Sequence, residues 1–499
     1  MNNRTIIPGP PGTGKTYTLM SYLKKEVEEY KTPQDKILYI SFSKAASREA
    51  QRRIPYPKVK VSTLHALGVE QLGLNVNAQL LKGKEWRKFK NANILCEGLS
   101  FETYIDDSGL PRYKNVHMQL IEYSRAKKIS LEYAALELNI TTDLNYTKII
   151  RDQIDQYKKD TKMIEFHDMI NDFIRLQKCP PVEVVFLDEA QDLSPLQWDM
   201  FFYIESKAVR SYIAGDDDQA IYNFQGADSK IFMSLEGTMD PQIKSQRVPI
   251  NIFNKAISIL PNIKHRLKKS WEPKEAKGAV FENVIFEQID FSEGNWMILA
   301  RTNKMLQPIA EEIFNQGYRF ESKYNELLPK EPLNAYRVWK RLNDGAFVSK
   351  EDVKDLYSCL SYRLGHVEYG FSSGKSLENI DSVDIDMLRM EHGLRVTGSW
   401  EQFNIKQNIK DYIKILLKSG DDLMKPPRIK ISTIHSVKGE ECDNVVLFTD
   451  INNIIYHSCK MNADPEHRTF FVGVTRAKHN LFLPQPKSKY VYKIGGQII

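Results

Sequence analysis

The 499 residues exceed what one ordinary core supports and suggest about three or four domains. With 42% hydrophobic and 27% charged residues the composition is that of a soluble globular protein, and no run approaches the roughly 18 apolar residues of a membrane span. Seventy basic against sixty-four acidic residues leave a net charge of +6, which permits a basic groove without demanding one. The five cysteines (Cys96, Cys179, Cys359, Cys442, Cys459) include no CxxC pair, which argues against zinc, iron–sulfur and a disulfide framework. They fit a reducing cytoplasm, and the N-terminus carries no presequence pattern, so a cytoplasmic location is expected.

The chain opens with IIPGPPGTGKTYTLM, apolar residues followed by Gly9-Pro10-Pro11-Gly12-Thr13-Gly14-Lys15-Thr16 and a helix-like pattern. This is GxxxxGK[ST] in its required strand–loop–helix context. The glycines let backbone N–H groups converge on phosphate oxygens, and the helix N-terminus adds favourable partial charge. Lys15 is placed to reach the β- and γ-phosphates, and Thr16 to hold magnesium. ILYISFSKAASREAQRRI (37–54) reads as a strand and a helix with a basic face. The stretch from about 76 to 165 reads as helical and charged, with LEYAALEL and YTKIIRDQIDQYKKD at helical spacing. VEVVFLDEAQDLSP (182–195) supplies an apolar strand ending in Asp188, suited to the magnesium shell, and Glu189, suited to polarising an attacking water.

A further strand-like run, VRSYIAG, leads into GDDDQAIYNFQGA (215–227). In a parallel α/β sheet, ligands collect at the carboxyl ends of strands, so this loop is expected beside the two earlier motifs. Its acids suit a metal or phosphate. Gln219 can donate to a γ-phosphate and lose that contact after hydrolysis. Taken alone, Tyr222 and Phe224 read as core.

Together, PGPPGTGKT, DEAQD and GDDDQAIYNFQGA resemble the UvrD/Rep-type superfamily 1A helicases. The resemblance implies that Gln219 senses the γ-phosphate and that Tyr222 and Phe224 stack on single-stranded DNA bases. Phe224 stands where the family usually carries tryptophan. It also implies that Phe42 contacts a base, that Ser43 and Lys44 contact the backbone, and that Thr63 and His65 in VSTLHALG lie near DNA. Further along, KSQRVP aligns Arg247 with an arginine on the γ-phosphate, although the local wording departs from the usual Asn-Tyr-Arg. WMILARTN places Arg301 and Asn303 near the DNA backbone. IKISTIHSVKGEECDNVVLF assigns Thr433 and His435 to DNA phosphates, Lys438-Gly439 to a turn and Glu441 to the nucleotide sugar. FFVGVTRAKHNLFL makes Arg476 a second arginine on the γ-phosphate, an internal arginine finger.

The implied fold is α/β, with two RecA-like P-loop motor domains of parallel sheet flanked by helices, each carrying a mainly helical insertion. The first motor domain is expected at 1–75 plus 166–245, interrupted by an insertion at 76–165. The second is expected at 246–332 plus 426–499, interrupted at 333–425 by an insertion much shorter than the family's large one. The function so implied is an ATP-dependent 3′–5′ DNA helicase using ATP and Mg2+. The alternative is a single-stranded DNA translocase, or the ATPase subunit of a repair or defence complex, with little unwinding alone. The expected partners are single-stranded DNA, duplex/single-strand junctions and a repair, replication or nuclease protein, with no membrane and with a monomer or weak oligomer as the working form.

Overall fold

The computed structural model describes residues 3–96, 98–105, 111–322, 330–371, 375–377, 381–418 and 422–499. The chain divides into two units, one of residues 1–286, 299–302 and 433–499, the other of residues 287–298 and 303–432. The protein is α/β, with parallel sheets flanked by helices.

The first unit is built on a six-stranded parallel sheet. Its order is Lys60–Ser62, Ile37–Ser41, Val184–Asp188, Arg210–Gly215, Asn3–Pro8 and Thr238–Met239. Strands covered by helices on both faces read as continuous apolar runs rather than alternating ones. ILYIS and VVFLD are buried at every position. Across neighbouring strands Tyr39 faces Phe186 and Phe186 faces Tyr212, with ring centroids 6.0 and 4.8 Å apart. Tyr22, on the helix Lys15–Glu28, stacks 4.6 Å from Tyr212. That aromatic column pins the helix against the sheet, and so positions the loop joining the helix to Asn3–Pro8.

Because Asn3–Pro8 and Val184–Asp188 both flank Arg210–Gly215, three loops leave the same sheet edge side by side. They are Gly9–Gly14, Asp188–Asp192 and Asp216–Gln219. Nearby, Ser43, Thr63 and Ser194 each cap a helix through the side-chain oxygen, as residues of these types do at helix starts.

Residues 116–161 form the helices Val116–Lys127, Leu131–Leu138 and Leu144–Thr161, capped by Asn115, Ser130 and Asp143. They enclose their own core, including Trp86, Phe89, Leu120, Ile121, Ile150 and Ile154. The first unit also holds a second parallel set, in which Ala477–Pro484 lies between Ala279–Val284 and Cys442–Leu447.

The second unit is mainly helical, with Asn303–Asn315, Lys330–Asn343, Lys350–Ser358, Ile385–Glu391 and Gln407–Lys418. Trp339, Tyr357, Leu388, Phe403, Ile413 and Leu416 fill its core, and Phe314 stacks on Tyr412 at 4.1 Å. Among the described residues, no helix is long and apolar enough to cross a membrane.

Candidate nucleotide and nucleic-acid site

The phosphate loop is held open by backbone conformations that side chains resist. Gly12 and Gly14 have φ of 74° and 85°, in the left-handed region. At Gly12 a Cβ would stand 2.5 Å from the Arg247 Cβ and 2.6 Å from the Ser245 Oγ. Ser245 donates to the Pro11 carbonyl at 2.9 Å, and the Gln246 N–H donates to the Gly12 carbonyl at 2.7 Å. The strand Lys244–Pro249 is therefore seated directly on the loop. Thr13 donates to Pro10 O at 2.8 Å, and the buried Lys15 Nζ folds back onto Gly9 O at 2.6 Å. Burial lowers the Lys15 ammonium despite the opposing pull of Asp216, Glu189 and Asp188.

Beside the loop, Thr16 Oγ1 donates to Asp188 Oδ2 at 2.9 Å, and the Tyr39 hydroxyl donates to the same oxygen at 3.1 Å. Burial and the neighbouring Glu189 raise the Asp188 carboxyl above its ordinary value. A hydroxyl and a buried carboxylate in contact are the hard oxygen donors that magnesium takes, and a divalent charge would relieve that electrostatic tension. Thr16 and Asp188 therefore fit the ion. Glu189 sits at φ 56°, bonded to Gln191 Nε2 at 2.5 Å. Burial works against its ionisation, but Lys438 and Lys15 outweigh it and hold the carboxyl below its ordinary value.

Gln219 lies at the centre of the remaining contacts. Its Nε2 donates to Asp216 Oδ2 at 2.7 Å, and its Oε1 accepts from Arg476 Nη2 at 2.9 Å. Arg476 is 1% exposed. Among the described residues its hydrogen bonds go to Val472 O, Glu440 O, Thr475 Oγ1 and Gln219, with no carboxylate. Burial, and then the nearby Arg247, bring its guanidinium down to about 9, so it remains charged at neutral pH. Arg247 itself pairs with Glu441, so the two residues expected to touch the nucleotide from opposite ends hold each other.

The three consecutive acids that sequence reading offered to a metal or phosphate are engaged by cations of the protein. Lys269 Nζ lies 2.6 Å from Asp216 and 3.0 Å from Asp218, and also pairs with Asp217. Arg266 forms a two-pronged pair with Asp218 at 2.8 and 2.7 Å. Arg468 donates to Asp217 O at 2.8 Å. Burial alone would lower the Lys269 ammonium, but the three carboxylates more than reverse this. Sequence reading missed Lys269 and Arg266, which carry no motif. The signal for them was electrostatic, since three buried acids require cations nearby.

Further along the same loop, Phe42 and Tyr222 stack at 5.3 Å and 20°, Phe224 lies 6.5 Å from Tyr222, and His435 meets Phe224 edge-on at 5.7 Å. The Tyr222 hydroxyl donates to His435 O at 3.2 Å. Phe42, His65, Tyr222 and Phe224 share the lining of one cleft of about 410 Å³. Lys438 lies with Gly439 in the expected turn, and it also pairs with Asp192, donates to Gln219 O at 2.6 Å and lies 5.1 Å over the Tyr222 ring.

Most of the remaining expected residues make contacts within the protein. The Ser43 and Thr63 hydroxyls accept from Ala46 N and Ala66 N as helix caps, Lys44 is exposed, and buried Thr433 contacts Ser436 at 2.9 Å. Arg301 is bound two-pronged by Glu466 at 2.7 and 3.1 Å. Asn303 begins the helix Asn303–Asn315 of the second unit.

Two buried cations, Lys15 and Arg476, beside a glycine loop suit a polyphosphate, which puts the chain among P-loop nucleotide-binding proteins. Family models for the UvrD/REP helicase N-terminal domain and the UvrD-like helicase C-terminal domain match residues 1–240 and 394–488, and the chain belongs to that family. It is 24% identical, over 95% of its length, to F-box DNA helicase protein 1 of Schizosaccharomyces pombe, of which the match covers 54%. It is 22% identical, over 72% of its length, to ATP-dependent DNA helicase Rep of Buchnera aphidicola subsp. Acyrthosiphon pisum, covering 58% of that protein. A third relative, Gabija protein GajB of Bacillus cereus, is 22% identical over 97% of this chain and 93% of its own length. The chain thus spans a little over half the length of the first two relatives.

Proposed function

We propose that the protein is an ATP-dependent DNA helicase that translocates 3′ to 5′ on single-stranded DNA and unwinds duplex in replication, repair or recombination. The observation that carries this reading is the short path through Gln219. Its side chain meets Arg476 on the phosphate side, and its carbonyl accepts from Lys438, whose ammonium covers the Tyr222 ring on the aromatic side. A change at Gln219 on loss of a phosphate would reach the rings in two contacts.

In this reading the Gly9–Thr16 loop and Lys15 hold the triphosphate, and Glu441 meets the sugar once Arg247 turns from it to the γ-phosphate. Thr16 and Asp188 would hold Mg2+, which supplies charge neutralisation for phosphoryl transfer. Glu189, kept ionised by Lys438 and Lys15, accepts a hydrogen bond from the attacking water, and Arg476 meets the charge that develops on the phosphate oxygens. Phe42, His65, Tyr222, Phe224 and His435 form the strand side. The roles of Ser43, Lys44, Thr63, Arg301, Asn303 and Thr433 on DNA rest on the family resemblance, as do the polarity and the four-part domain layout.

The test is ATP hydrolysis with and without single-stranded DNA, followed by strand displacement on 3′- and 5′-tailed duplexes. DNA-stimulated turnover with displacement of the 3′-tailed substrate is expected, and turnover indifferent to DNA would sink the reading. A second reading keeps the motor but gives it little unwinding alone, as the ATPase subunit of a repair or defence complex. The near-full-length match to Gabija protein GajB supports it. Stimulated hydrolysis without displacement of either tail would select it.

A further inference from the structure

The cleft lined by Phe42, Tyr222 and Phe224 has a chemical bias that its aromatic character does not explain. None of the described residues lining it is a lysine or arginine. Six phenyl and phenol rings line it instead, those of Phe42, Tyr113, Tyr123, Phe166, Tyr222 and Phe224. Among the described lining residues a sugar–phosphate backbone finds no lysine or arginine, whereas a base finds rings to stack on. The volume of about 410 Å³ lies within the range of roughly 300–1,000 Å³ typical of small-molecule sites.

Among the described residues, one carboxylate lining this cleft is paired with no lysine or arginine. Glu122, on the helix Val116–Lys127, lines it, and its Oε2 lies 3.4 Å from His167 Nδ1. That contact is ionic only if the ring is protonated, and burial pushes the His167 imidazole down to about 4. Arg125 and Lys158, the described cations that act on it, are engaged elsewhere. Arg125 binds Glu165 and Asp155, and Lys158 binds Glu165, Asp168 and Asp155. Burial lifts the Glu122 carboxyl to about 7 against the pull of Arg125 and Lys158, with Asp168 adding to the rise. At pH 8 it is mainly ionised, and an ionised carboxylate can only accept hydrogen bonds.

We propose that Glu122 reads the edge of a nucleobase seated in this cleft and favours bases carrying an amino group there (cytosine, adenine or guanine) over thymine. The inference rests on the strand-binding reading above. An amino group offers N–H donors to the carboxylate, whereas thymine offers one N–H flanked by two carbonyl oxygens that repel it. The protein so described binds single strands with a base preference set outside the phosphate loop and its neighbours.

The experiment is fluorescence-anisotropy binding of the full chain to dT and dC oligonucleotides of equal length at pH 8. Wild type is expected to bind dC at least about fivefold more tightly than dT. Glu122→Leu should erase that ratio while binding dT at least as tightly as wild type, which also reports that the variant is folded. Glu122→Gln, whose amide both donates and accepts, should narrow the ratio and serves if the leucine variant fails to fold. Equal dT and dC affinities in wild type would overturn the inference alone, as would a dC preference that survives in the folded variants. Failure of wild type to bind either oligonucleotide would instead remove the strand-binding reading, and this inference with it.

Discussion

Arg476 Nη2 and Asp216 Oδ2 grip opposite ends of the Gln219 amide, at 2.9 and 2.7 Å. The amide can neither flip nor swing while both contacts stand, because exchanging its oxygen and nitrogen would set donor against donor and acceptor against acceptor. Gln219→Ala should lower DNA-stimulated kcat by about 10²-fold with a much smaller change in KM for ATP. Arg476→Ala should cost about 10³-fold or more in kcat. A KM-dominated loss in steady-state kinetics would contradict both roles.

Lys269 neutralises Asp216 and Asp217, each of which is 0% exposed. Removing one partner of a buried pair leaves the other charge unpaired, at a typical cost of about 3–5 kcal/mol. Lys269→Met should therefore lower the urea midpoint of unfolding substantially, and Lys269→Arg should recover part of the loss. A midpoint unchanged in Lys269→Met would show that Arg266 alone suffices for the cluster.

Phe42 and Tyr222 already stack on one another, so an incoming base would extend that column rather than create it. Base–aromatic stacking contributes roughly 1–3 kcal/mol per base. Phe224→Ala is expected to weaken binding of a fluorescent single strand by about five- to hundredfold. Phe224→Trp should match or exceed the parent. Unaltered affinity in Phe224→Ala would take the ring out of the strand contact.

Burial holds His65 and His167 near 4, His65 being lowered further by His167 beside it. Both rings are neutral in the folded protein at pH 7. Below about pH 6.5 the unfolded chain binds protons that the folded chain refuses, so their contribution is full above that pH and is lost as pH falls toward 4. Every tenfold difference in proton affinity between the folded and unfolded chains corresponds to about 1.4 kcal/mol. The urea midpoint should fall across this window, and more shallowly for His65→Asn combined with His167→Gln. Identical slopes would mean that other groups carry the acid sensitivity.

What could be read in advance was what lay contiguous in the chain. The phosphate loop, Asp188-Glu189 and the Asp216–Gln219 run each combine an element boundary with a chemical group, and parallel-sheet topology brings strand ends together. Lys269 and Arg266 were invisible because KHRLKKSW has no pattern that says which lysine turns inward. Lys438 sits in the turn its motif announces, but its contacts with Asp192 and Gln219 were not legible because those residues are more than 200 positions away. Ser43 and Thr63 show the opposite difficulty, since a hydroxyl before a helix serves a cap as readily as a ligand. Arg301 found Glu466, a partner that no local spacing could announce.

The missing Cβ of Gly12 is the seat of Arg247. The loop and that arginine therefore depend on each other sterically. A graft from another nucleotide-binding protein carrying any side chain at this turn would dislodge a residue 235 positions downstream, so exchange between lineages should succeed only when both segments travel as one cassette.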